Sequence, residues 1–264
     1  MSRKPDYPAV PIFGLPFSKM NMAQTVDYLA RAVEARRPTQ VITGNPIMVM
    51  AALERPEYYR VMAQAELIVP DGAGIVWASR IAGDPVPERV AGYDLLHELM
   101  REGERRRWSA YLLGARQEVV EEAARRLRER YPLVRIAGFR NGYFGPEEDA
   151  GVVAAIREAA PDLLFVARDA LTTQEPWIAR HKPELGVPVM MGVGGSFDVI
   201  AGRTKRAPVF FRKLGLEWLY RLLRQPSRAG RLAALPRFAL KVLRAGRKLA
   251  ERPDSERQAE MGKF

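Results

Sequence analysis

The sequence predicts an α/β fold built on a largely parallel, Rossmann-like sheet flanked by helices. Short apolar runs alternate with helical stretches across the first 200 residues, the pattern of strands joined by crossover helices. Two of those runs pass directly into glycine-bearing turns, Pro70-Asp71-Gly72-Ala73-Gly74 and Gly192-Val193-Gly194-Gly195. At 264 residues the chain is also long enough to bury a full core.

Taken in order, the first helix spans Met22 to Ala35 and leads to a strand at Gln40 to Thr43. Thr43-Gly44-Asn45 is a turn in which Asn45 can cap a helix opening at Pro46, a residue suited to a first helical turn. That helix runs to Arg55, and a second covers Glu57 to Gln64. Leu67, Ile68 and Val69 form the next strand, stopped at Pro70, and a helix follows from Gly74 to Ile81. Further helices are expected at Tyr93 to Arg101, Gln117 to Arg130, Pro146 to Ala159 and Gln174 to His181. In the Gln117 to Arg130 segment, Val119, Val120, Ala123, Ala124 and Leu127 share one face while Glu and Arg fill the other. The remaining strands are Ala110 to Leu113, Val134 to Gly138, Leu163 to Ala167 and Val187 to Val193.

After Gly202 no strand signal remains. Pro208, Pro226 and Pro236 divide the tail into short helical pieces, with Phe210, Phe211, Leu214, Trp218, Leu219, Leu222 and Leu223 at helical spacing. The expected organisation is an α/β body over residues 1–202, a basic amphipathic helical appendage over 203–250, and a polar, disordered tail over 251–264.

Net charge is +11, and its excess lies at one end. Residues 201–264 carry 17 Lys and Arg against 5 Asp and Glu, whereas the first 200 residues carry 25 against 26. A near-neutral body with a basic tail points to a polyanionic partner. Nucleic acid is disfavoured because no reader motif accompanies the charge; an anionic membrane surface fits apolar residues interleaved with arginines. The chain has no cysteine, which excludes disulfide and thiolate chemistry and fits a reducing compartment. The N-terminal MSRKPDYPAVPIFGLPF lacks the apolar centre of a signal peptide, and no stretch is long and apolar enough to span a bilayer.

Asp71 is the main chemical candidate. In an open α/β sheet ligands bind beyond the carboxyl ends of the strands, and Asp71 closes such a strand beside two glycines that let a ligand approach the backbone. It is equally suited to a turn or helix cap. No Asp-x-Asp triplet occurs and the two histidines, His97 and His181, are far apart, so no metal or other cofactor is expected. Gly194, in the loop from Gly192 to Asp198, sits at a second strand end and favours a nucleotide-facing loop; the role of Asp198 stays open.

The segments VPDGAGIVWA, ERVAGYDLL, GVGGSFDVIAGRTKRAP and RKLGLEWLYRLLRQPSR resemble the WecG/TagA/CpsF family of bacterial glycosyltransferases, over about Thr43 to Arg231. The resemblance implies an inverting, metal-independent transfer, with Asp71 as general base, from a UDP-sugar donor. The sugar would be N-acetylmannosamine or its uronic acid, and the acceptor a polyprenyl diphosphate-linked N-acetylglucosamine used in cell-surface polysaccharide synthesis. It implies that Thr43, Asn45, Arg89 and Gln174 line the donor pocket. It further implies that Arg221, Arg228 and Arg231 belong to an appendage closing over the site at the inner face of the cell membrane. One segment departs from the family pattern. Where members carry Gly-x-Pro-Lys-Gln-Glu, this chain reads Arg168-Asp169-Ala170-Leu171-Thr172-Thr173-Gln174-Glu175, one residue longer and without the lysine. Arg168 is an alternative source of that charge. The change leaves room for a sugar-nucleotide-binding protein impaired in catalysis, and the tail for a membrane or nucleic-acid adaptor. Oligomeric state, a homo-oligomer included, is left open.

Overall fold

The computed structural model describes residues 5–213, 215–224 and 229–250. Eight strands form one sheet: β1 (Ala9–Ile12), β2 (Leu15–Ser18), β3 (Thr39–Gly44), β4 (Leu67–Pro70), β5 (Ser109–Gly114), β6 (Arg135–Arg140), β7 (Leu163–Ala167) and β8 (Val189–Gly192). Their order across the sheet is β1-β2-β4-β3-β8-β7-β5-β6, and every neighbouring pair is parallel except β1 with β2.

The six strands expected from the apolar runs are present. The β1–β2 hairpin is an addition. Its turn places both Phe13 and Gly14 at positive φ, the geometry whose twist matches paired strands, but Phe-Gly lacks the Asn or Asp that signals such turns. Pro11 and Pro16, which stand opposite each other, further weaken the strand pattern in the sequence.

Helices α1 (Met22–Glu34), α2 (Pro46–Glu54), α3 (Pro56–Gln64), α4 (Ala73–Ile81), α5 (Gly92–Arg106), α6 (Gln117–Arg130), α7 (Asp149–Ala159) and α8 (Glu175–Leu185) connect the strands, and α9 (Ser196–Ile200) follows β8. Two outrun their expected ends. The α5 helix continues past Arg101 to a left-handed Arg107, and α8 runs through Pro183 to a left-handed Gly186.

Alternating strand residues divide between the two faces of the sheet. On one face Val41, Leu67, Leu112, Phe165 and Met191 pack against α1, α5, α6 and α9 in one continuous core. The opposite face carries two cores. Ile42 and Ile68 pack with α2, α3 and α4, whereas Leu113, Val166 and Met190 pack with α7 and α8.

Beyond β8 lie α10 (Val209–Lys213), α11 (Glu217–Arg224), α12 (Ala229–Leu232), α13 (Ala234–Ala245) and a 3₁₀ turn at Gly246–Ala250. Phe238, Val242 and Leu249 are buried in the same core as α2, α3 and α4. Phe238 meets Phe13 edge-on at 6.3 Å between ring centroids, and the Phe13 N–H donates to the Leu249 carbonyl at 2.6 Å. The α13 helix is thus packed into the body. The expected tail over residues 251–264 lies outside the described residues.

Candidate functional site

Neighbouring strands β3 and β8 send their following helices, α2 and α9, to opposite faces of the sheet. This divergence opens a crevice beyond the strand ends, the position at which such sheets take their ligands. A cavity of about 480 Å³ occupies it. Its walls come from four strand ends: Thr43 and Asn45 at the end of β3, Asp71 to Gly74 after β4, Asp169, Ala170, Leu171 and Gln174 after β7, and Val193 to Ser196 after β8. Glu217, Trp218 and Phe238 reach it from the C-terminal helices, and Gly215 from the turn before α11.

Asp71 stands on the cavity wall in a fixed pose. Its N–H donates to the Gly44 carbonyl at 2.9 Å, and its Oδ2 accepts the Gly92 N–H at 3.0 Å. The carboxylate therefore sits at the N-terminus of the fifteen-residue α5, where the helix dipole favours negative charge. Two glycines permit this packing. A Cβ on Gly92 would lie 2.9 Å from Thr43 Cγ2, and one on Gly74 would lie 2.6 Å from Pro46 Cγ.

The other expected residues divide by function. Asn45 lines the cavity and also caps α2, its Oδ1 accepting from the N–H groups of Ile47 and Met48 at 3.0 and 3.2 Å. Arg89 faces the cavity with its guanidinium 3.3 Å from Glu217 of α11. Gln174 and Gly194 both border the cavity and are joined, with Gln174 Oε1 accepting the Gly194 N–H at 3.0 Å. Arg221 falls within α11 and Arg231 within α12, and Arg228 lies outside the described residues.

Arg168 is not among the cavity-lining residues. Its guanidinium lies 4.1 Å from the Phe144 ring centroid and donates to the Phe144 carbonyl at 3.2 Å. The segment after β7 forms a π turn at Ala170–Gln174, in which the Gln174 N–H bonds five residues back to the Asp169 carbonyl at 2.8 Å. Asp169 anchors its start by accepting from the Leu171 N–H and the Thr172 hydroxyl.

Arg206 is a cavity residue that sequence reasoning missed, since beside Lys205 it reads as one more charge of the tail. Its guanidinium lies 4.4 Å from the centroid of the Tyr93 ring and donates to Asp94 at 2.6 Å. Its Nε is buried without a hydrogen-bond partner among the described residues. Among the described residues no group of three or more His, Asp or Glu side chains converges as metal ligands.

Beneath the cavity Glu175 is completely buried between two amides. Desolvation pushes its carboxyl from the ordinary 4.5 up to about 7, opposed by hydrogen bonds from Gln174 and Gln40. Between those values the unfolded chain releases a proton that the folded chain keeps. The contribution to stability is therefore fully present below about pH 4.5 and is lost as pH rises to about 7, a change on the order of 3 kcal/mol. Urea unfolding from pH 4.5 to 7.5 is expected to show this decline in the native chain and not in Glu175→Gln. Parallel curves for the two proteins would refute the assignment.

The family described as "Glycosyl transferase WecG/TagA/CpsF family" matches residues 10–252. Curated relatives with the name N-acetylglucosaminyldiphosphoundecaprenol N-acetyl-beta-D-mannosaminyltransferase are similar along nearly their whole length. The protein from Staphylococcus aureus strain MW2 is 38% identical over 242 residues, spanning 91% of this chain and 94% of its own. That from Bacillus spizizenii strain W23 is 34% identical over 91% of this chain and 93% of its own. That from Bacillus subtilis strain 168 is 34% identical over 88% and 90%.

Proposed function

The chain belongs to the glycosyl transferase WecG/TagA/CpsF family, and from that premise we propose that it moves N-acetylmannosamine from UDP to a polyprenyl diphosphate-linked N-acetylglucosamine. The relatives' names supply the transferred sugar and the acceptor. The observation that carries the chemistry is the Asp71 carboxylate, fixed by the Gly92 N–H on the wall of a strand-end cavity that also presents Arg89 and Arg206.

In this reading Asp71 accepts the proton of the acceptor hydroxyl as its oxygen attacks the anomeric carbon. The new C–O bond forms on the face opposite the nucleotide, the bond to UDP breaks, and UDP departs with the electron pair, inverting the centre. The growing negative charge is met by arginines rather than by a metal. Arg206 is held for this task by Asp94 and Tyr93, and Arg89 approaches a phosphate by exchanging its pairing with Glu217. The tail arginines Arg221, Arg228 and Arg231 are proposed to add to this charge.

Membrane association through the C-terminal helices belongs to the same proposal. Among the described residues no helix is long and apolar enough to cross a membrane. Phe210, Leu223 and Leu243 are nonetheless exposed on segments rich in Lys and Arg, a combination suited to lying on anionic lipid.

UDP release from a panel of UDP-sugars, measured with and without a short-chain polyprenyl diphosphate N-acetylglucosamine, tests the reading. Acceptor-dependent release from UDP-N-acetylmannosamine that persists in excess chelator is expected. Donor binding by calorimetry with no release under any condition would instead favour a sugar-nucleotide-binding protein without transferase activity.

A further inference from the structure

Glu175 takes no direct part in the chemistry above, yet its setting is unusual. It is fully buried at the start of α8, and among the described residues no cation pairs with it. Its Oε1 accepts from Gln174 Nε2 at 2.8 Å, and its Oε2 accepts from Gln40 Nε2 at 3.2 Å. A buried carboxylate without a cation is costly, and both of its oxygens are committed to amide donors.

The polarity of this chain is dictated from the cavity side. Gln174 Oε1 accepts two backbone N–H groups, that of Arg168 at 3.2 Å and that of Gly194 at 3.0 Å. Neither N–H can reverse its role, so the side-chain amide has one permitted orientation, with Nε2 directed at position 175. There the partner must be an acceptor. Gln40 is likewise fixed, since its Nε2 also donates to the Glu175 backbone carbonyl at 3.2 Å. The backbone is shaped to admit the pair. A Cβ on Gly192 would lie 2.1 Å from Glu175 Oε1 and 2.2 Å from Gln174 Nε2, although Gly192 has no left-handed φ to require glycine.

We infer that Glu175 is a positioning residue for the transfer reaction: by fixing the Gln174 amide it ties the loop after β7 to the loop after β8, and so sets two walls of the cavity. It acts through Gln174 and touches no substrate. The inference rests on the proposed transferase reading for its effect on turnover, but its structural half stands apart from that reading.

Two readouts test it. In Glu175→Leu, which removes both acceptors, the amides of Arg168 and Gly194 are expected to exchange with deuterium faster than in the native chain. Turnover, corrected to the folded fraction, should fall about 10- to 100-fold, the scale of losses from misplaced site groups. Gln174→Ala should fall similarly, and the double variant no further, because both substitutions break one linkage. Glu175→Gln retains one acceptor and should fall between the native chain and Glu175→Leu; it also decides the matter if the leucine variant does not fold. Unchanged exchange at Arg168 and Gly194 would overturn the inference whatever the reaction proves to be. Native turnover in a folded variant, or losses that add fully with Gln174→Ala, would overturn it too. A native chain that releases no UDP bears on the proposed function alone, and the exchange measurement then decides.

Discussion

Asp71→Asn is expected to lower acceptor-dependent turnover by about 10²- to 10⁴-fold, the usual contribution of a positioned general base. The amide keeps the size of the carboxylate and can still accept the Gly92 N–H through its oxygen, so the wall of the cavity should stand. Proton acceptance is what it loses. UDP affinity, measured by calorimetry, should change by less than about threefold, because in the proposed reaction Asp71 acts on the acceptor hydroxyl and not on the nucleotide. A variant that turns over normally would exclude Asp71 as the base. A variant that binds UDP poorly would instead assign Asp71 to donor binding.

Phe238→Ala carries the second large effect, on stability. The ring is fully buried, meets Phe13 edge-on, and its Cε1 would lie 3.7 Å from a Cβ on Gly74 of the Asp71 turn. Removing a buried phenylalanine costs roughly 3–5 kcal/mol, from lost transfer free energy and the cavity left behind. For a chain of this size that corresponds to a fall of roughly 6–20 °C in the thermal midpoint. The same substitution enlarges the strand-end cavity, because Phe238 lines it. A midpoint within about 2 °C of the native value would show that α13 opens independently of the body, as a separable appendage over 203–250 requires.

The sequence made the sheet legible because its interior strands are short, continuous apolar runs and its helices carry one apolar face. Legibility failed where local and tertiary forces differ. The β1–β2 hairpin was hidden by two prolines and by a turn lacking Asn or Asp, yet it is held by neighbours far along the chain, including the Leu249 carbonyl. The α5 and α8 helices run on because their ends are set by left-handed residues, Arg107 and Gly186.

Among site residues, Asp71 and Gly194 could be placed because strand-then-glycine is a local pattern. Arg206 could not, since what distinguishes it from neighbouring tail charges is a ring and a carboxylate more than a hundred positions earlier. Glu175 is similarly opaque: it stands beside Gln174 in the sequence, but only folding brings Gln40 against it.

The π turn at Ala170–Gln174 separates variation from constraint in this wall. The wide turn brings Ala170 and Leu171 to the cavity and seats Gln174 on the Gly194 amide. Chain length can thus drift at the rim without shifting the floor beneath it. In such an arrangement a lineage is able to sample new surfaces toward its substrate one insertion at a time, keeping the apparatus below intact.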